Sequence, residues 1–103
     1  MGVQNSGETV DRILRRPAQS HPYAHGSFGF WLIEQKPAPP LGWVLARSDN
    51  GVWVLDAYAH CRDAAGKRPW LRTFGTLNSA VAWMLQHEGD IRALMKRSDP
   101  EPD

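Results

Sequence analysis

The sequence predicts an α+β domain: a predominantly antiparallel sheet of three to four strands, packed against one main C-terminal helix and preceded by a short N-terminal helix. Three observations predict it. Two tight-turn signatures, Asp49-Asn50-Gly51 and Ala64-Ala65-Gly66, each divide one apolar-rich run from another. From Thr76 the apolar spacing becomes helical, with Leu77, Ala80, Val81, Met84 and Leu85 on one stripe. Finally, 103 residues of which 42% are apolar suffice for one modest core and leave no length for a second domain.

Residues 1–7 carry no pattern and are expected to be disordered. Val10, Ile13 and Leu14 then recur at helical spacing, with Glu8 and Asp11 in the first turn and Arg15 and Arg16 in the last, as a helix macrodipole favours. A short helix over 8–16 follows, stopped by Pro17. The stretch from Ala18 to Ser27 has no sustained periodicity and reads as a connecting loop. Phe28 to Lys36 starts apolar on both parities and reads as a strand covered on both sides; Pro37, Pro39 and Pro40 end it.

The first tight turn has two readings. A two-residue Asn50-Gly51 loop pairs Ser48 with Trp53, whereas a three-residue loop with Gly51 left-handed pairs Ser48 with Val52. The three-residue register gathers Trp43, Leu45, Trp53, Leu55 and Ala57 on one face, and is adopted for that reason. Applied to the second turn, the same geometry pairs Arg62 with Arg68, His60 with Trp70, Tyr58 with Arg72 and Asp56 with Phe74. One face then collects Tyr58, His60, Arg62, Arg68, Trp70 and Arg72. Thr76 is the expected N-cap of the main helix near 77–88. Gly89 ends it, and Asp90 caps a second short helix carrying Ile91, Leu94 and Met95. The domain spans 8–97, and 98–103 is expected to be a disordered acidic tail.

Formal net charge is +1, but the last six residues hold three of the eleven acids and no Lys or Arg. Residues 1–97 therefore carry twelve bases against eight acids, +4, which is mildly basic. No apolar run approaches the roughly eighteen residues of a membrane span, and the single Cys61 permits no internal disulfide. A cytoplasmic protein without membrane association is expected.

The aromatic and basic face carries the functional expectation. Guanidinium groups neutralise phosphate or fork onto guanine, rings stack on bases, and a sheet ribbon enters a major groove. The plain alternative is a solvated sheet face whose arginine stems cover Trp70 and Tyr58. The run Arg62-Asp63-Ala64-Ala65-Gly66-Lys67-Arg68, followed by Leu71-Arg72-Thr73-Phe74-Gly75-Thr76 and Ala80-Val81-Ala82-Trp83, resembles the AP2-like, arm-type DNA-binding domain of phage-type tyrosine integrases. The resemblance covers residues 52–86, about a third of the chain. It implies a three-stranded sheet backed by a helix, binding duplex DNA through the sheet face, with contacts at Arg62, Arg68, Trp70 and Arg72. The chain departs from it in the extra strand at Phe28 to Lys36 and in a first hairpin more apolar than basic.

Chemistry finds little purchase. His21 and His25 are four apart, but Pro22 and Gly26 argue against the helix that would align them as metal ligands. His60 and Cys61 diverge if they are neighbours on a strand, so they form no nucleophile and base pair. No catalytic residues, metal or cofactor are expected, and the chain reads as a non-enzyme. The expected function is non-catalytic binding of duplex DNA. The alternative is a protein–protein interaction module, or a small inhibitor or adaptor of mobile-element origin, acting through exposed Trp, Tyr and Arg. Five tryptophans are many for one small core, so where they point decides between these readings.

Overall fold

The structure is a computed structural model that describes residues 19–27 and 29–101. The expected helix at 8–16 and the patternless residues 1–7 lie outside them, as do Pro102 and Asp103. Five strands form one antiparallel sheet in the order β1 (Ala24–Ser27), β2 (Phe30–Ile33), β3 (Gly42–Asp49), β4 (Val52–Ala59) and β6 (Trp70–Phe74). Between β4 and β6 the chain makes a two-residue excursion, β5 (Cys61–Arg62), which pairs with β7 (Asp99–Pro100). Helices α1 (Leu77–Gln86) and α2 (Glu88–Lys96) follow β6.

The sheet has one more strand than expected. It is β1, in the stretch read as a loop, where Ala-His-Gly-Ser offers no apolar alternation. Backbone pairing with β2 recruits it, extended by the Glu34 N–H donating to the Tyr23 carbonyl at 2.9 Å, and Tyr23 and Ala24 pack against the core. β2 in turn is shorter than the expected 28–36 strand. Its Trp31 and Ile33 are buried, while Phe30 is exposed and Leu32 half-buried, so only one side is fully covered.

The first turn corrects the adopted register. Asp49 pairs with Val52 and Ser48 with Trp53, closing a two-residue loop with Asn50 at φ 53° and Gly51 at φ 80°. Two successive left-handed residues make a primed turn, whose twist matches the flanking strands, and Asn-Gly is the pair that adopts it most cheaply. Grouping apolar residues misled because both faces of this sheet carry them. Trp43 and Leu45 lie opposite Tyr58 and Asp56, on the other side from Leu55 and Ala57.

The second turn closes as expected, with Asp63 and Lys67 paired around Ala64-Ala65-Gly66 and Gly66 at φ 79°. The pairing expected beyond it does not form. Pro69 has no N–H to offer a ladder, β5 turns away to β7, and a bulge at Ala57 and Tyr58 shifts the register. Leu55 pairs with Phe74, Asp56 with Thr73, Ala57 with Arg72 and Tyr58 with Trp70.

The helix-covered face is the core. Trp31, Ile33, Val44, Leu55, Ala57 and Ala59 bury against Leu77, Ala80, Val81 and Met84 of α1 and Ile91 of α2. Thr76 caps α1 as expected, its Oγ1 accepting from the Ser79 N–H at 3.1 Å. A Cβ at Gly42 would collide with the Tyr58 carbonyl oxygen and lie 2.6 Å from Met84 Cε, so only glycine lets α1 approach there. The main helix and the second short helix both form, but the boundary between them falls at His87 and not at Gly89. His87 closes the first, with its backbone N–H and Nδ1 donating to the Trp83 carbonyl at 3.0 and 2.8 Å and its ring stacked on Trp83 at 4.3 Å. Gly89 lies inside α2 rather than ending α1.

Candidate nucleic-acid interface

The helices cover one face of the sheet, and the other presents two cross-strand rows. One runs Leu32, Trp43, Tyr58, Trp70; the next runs Phe30, Leu45, Asp56, Thr73. Trp70 is 58% exposed and Phe30 41%, which makes them the most open rings of this face. Trp43 is the hub. Phe30 meets it edge-on at 4.8 Å, His60 stacks on it at 5.7 Å, and the Arg68 guanidinium lies 5.3 Å from its ring centre and 5.9 Å from that of Phe30.

Two buried carboxylates hold the arginines of this face. Asp56 accepts from Arg47 Nε at 2.6 Å and Arg47 Nη2 at 3.3 Å, and from Thr73 Oγ1 at 2.5 Å; Thr73 in turn accepts from Trp70 Nε1 at 3.2 Å. The hydrogen bond from Arg47 holds the Asp56 carboxyl below the usual range, against the opposing pull of burial and with help from Thr73. Glu101 accepts from Arg68 Nε at 2.8 Å, Trp43 Nε1 at 2.9 Å and Arg62 Nη2 at 3.4 Å. Burial pushes the Glu101 carboxyl up, but the bonds from Arg68 and Trp43 and the charges of both arginines outweigh it and hold it low. Glu101 is 6% exposed, so the expected disordered tail is ordered through this residue. The β5–β7 pairing delivers it.

The sequence-predicted set is only partly brought together. Tyr58, Arg62, Arg68 and Trp70 share the uncovered side, with Tyr58 half-buried. His60 is buried at 4% exposure and packs inside, out of reach as a stacking surface. Arg72 pairs with Ala57 and reaches over Phe74 at 5.9 Å, so the corrected register moves it to the helix side of the sheet. Phe30, Trp43, Lys67, Asp56 and Glu101 enter the site unforeseen. A carboxylate between Leu55 and Ala57 in an apolar strand was a usable signal for Asp56; Glu101 offered none.

Between the second turn and the sheet lies an open groove of about 420 Å³ lined by Leu45, Tyr58, Arg62, Gly66, Lys67 and Arg68. His21 Nδ1 accepts from the Tyr23 N–H at 3.1 Å, and His25 Nε2 lies 3.1 Å from the Glu34 carbonyl. Among the described residues no cluster of three or more metal-ligating side chains exists. Cys61 is buried, and burial pushes its thiol up, away from the reactive thiolate. No described helix is long and apolar enough to cross a membrane. No protein-family model, curated protein or solved structure matches the chain.

Proposed function

We propose that this chain is a non-catalytic nucleic-acid-binding module acting through the uncovered face of its sheet, with an unpaired strand as the favoured ligand. One observation carries this reading: the face left bare by the helices combines open rings at Trp70 and Phe30 with guanidinium groups fixed by buried carboxylates. A sheet backed by a capped helix with its other side free supports this reading; the resemblance to AP2-like arm-type domains implies such a layout with three strands, where this sheet has five. Duplex recognition, however, calls for arginines that project into a groove. Here Arg47 folds back onto Asp56, Arg62 and Arg68 fold back onto Glu101, and Arg72 is on the other side. The rings are left as the most projecting groups, and rings suit the exposed bases of single strands.

A salt series with a short single strand and its duplex tests this. The strand binds at low salt and more tightly than the duplex, with a shallow salt slope because few phosphates are neutralised. Trp70→Ala weakens strand binding by the equivalent of about 1–3 kcal/mol, the value of one stacked base, while Arg72→Ala leaves it unchanged. Absence of binding at low salt, or sensitivity to Arg72 without sensitivity to Trp70, overturns the reading.

The second reading is a protein partner, favoured by the internal neutralisation of the arginines. Interface centres are poor in free charge and rich in Trp, Tyr and Arg. A stoichiometric complex recovered from the native cell and lost on Trp70→Ala, with no nucleic-acid affinity, would select it.

A further inference from the structure

We infer that the groove beside the second turn is a slot for a single nucleotide unit, with the phosphate held by Arg62, Lys67 and Arg68 and the base laid against Tyr58. The inference rests on the nucleic-acid reading and names the part of the surface that does the selecting. Its volume, about 420 Å³, falls within the roughly 300–1,000 Å³ of small-ligand clefts.

The lining supplies both halves of such a ligand's chemistry. Three of the six lining residues are cationic; Glu101, bonded by both arginines, offsets one of these charges and leaves a net +2. The two guanidiniums are already positioned. Arg62 donates through Nη1 to the Gly66 carbonyl at 3.0 Å and through Nη2 to Glu101. Arg68 is held by Nε on Glu101 and by the Trp43 ring. A preorganised cation loses less freedom on binding an anion than a free one does. Lys67 stands at the exposed rim, on a turn that the Asp63 carboxylate fixes by accepting from the Ala65 and Lys67 backbone N–H groups at 2.9 Å. Tyr58 forms the floor, between Trp43 on one neighbouring strand and Trp70 on the other. A base placed on Tyr58 thus lies beside the open Trp70 ring, where the next base of a strand stacks.

A neighbouring groove sharpens the assignment. On the far side of Arg62 a smaller groove of about 210 Å³ is lined by Arg62, Asp63, Ala64, Arg97, Ser98 and Asp99. Its two acids balance its two bases, so it offers an anion no net attraction. The two grooves differ in charge and therefore supply an internal control.

The test is anisotropy of a labelled short oligothymidylate in a salt series, with thymidine monophosphate, thymidine and inorganic phosphate as competitors. Lys67→Glu and Arg97→Glu change the net charge equally on exposed side chains. The slot predicts that Lys67→Glu weakens the strand about tenfold and makes the salt slope shallower by about 0.7 per lost phosphate contact, whereas Arg97→Glu changes neither. It predicts further that thymidine monophosphate competes better than thymidine or inorganic phosphate alone, since each of those fills half of the slot. Equal weakening by the two variants overturns the slot and leaves the broader nucleic-acid reading standing on Trp70. Binding of thymidine monophosphate without binding of the strand keeps the slot, assigns it to free nucleotides and overturns the strand reading. No binding of either at low salt overturns both.

Discussion

Asp56 sits mid-strand in β4 and Glu101 near the end of the described chain, yet each is a buried carboxylate that fixes arginine on the uncovered face. They are supported differently. Asp56 is flanked by β3 and β6, and its partners Arg47 and Thr73 come from those adjoining strands. Glu101 is carried by a two-residue ladder, and bonds Trp43 across 58 positions of sequence and Arg68 across 33. The central carboxylate belongs to the sheet. Glu101 belongs to the short β5–β7 ladder, and the difference predicts which of them governs folding and which governs the site.

The largest effect is expected at the centre. Asp56→Ala leaves the Thr73 hydroxyl and the Arg47 guanidinium without their acceptor and costs about 2–3 kcal/mol, a loss in the range for broken buried polar networks. A lower urea midpoint at unchanged slope checks it. Glu101→Ala costs less, about 1–2 kcal/mol, because the short β5–β7 ladder can open locally without unfolding the sheet. Its signature is hydrogen-exchange protection lost at Cys61 and Arg62 but kept in β3 and β4. Equal stability losses for the two variants would erase the distinction.

Acid tests both carboxyls. Both carboxyls are held below their ordinary values, so each contributes stability that is fully present above the unfolded-state value of about 4 and is lost as pH falls through the lower folded value. Stability should therefore be flat from neutral pH down to about 5 and fall below about 4. Asp56→Asn and Glu101→Gln should each flatten that fall, measured as urea midpoint against pH. Smaller still, Thr73→Val removes one hydrogen bond from Asp56 and should cost about 1 kcal/mol, with the Trp70 ring freed from its Nε1 contact. Last, the double variant Asp56→Ala with Glu101→Ala should show a coupling under about 0.5 kcal/mol, since the two share no partner. A larger value would mean that Trp43, Tyr58 and Trp70 move as one unit.

Local rules made much of the helical half legible. Thr76 as cap and the Leu77, Ala80, Val81, Met84 stripe are decided within a few residues of chain, by one hydroxyl and one period. The second turn was equally local, because Asp63 and Gly66 carry their own hydrogen bonds and left-handed backbone. The first turn is a two-residue loop, as Asn50-Gly51 itself favours, and not the three-residue loop that apolar grouping predicts. Turn chemistry outweighs apolar grouping here, because both faces of the sheet are apolar-rich. The one-residue difference displaces Trp43 and Leu45, and the bulge beside Pro69 displaces Arg72.

The sequence by itself determined the α+β class, the antiparallel hairpins, the cap and buried stripe of α1, and the presence of an aromatic and basic set around the second turn. Tertiary structure alone decided the fifth strand, the placing of the helix boundary at His87 and not at Gly89, the side on which Arg72 lies, and the burial of His60. It also decided that Glu101, in a segment with no pattern of its own, closes the site. The physical reason is one of range. Caps, turns and periods are energies of neighbouring residues, whereas β1 and Glu101 gain their places from partners on other elements, and short polar segments carry no trace of such pairing until the chain is folded.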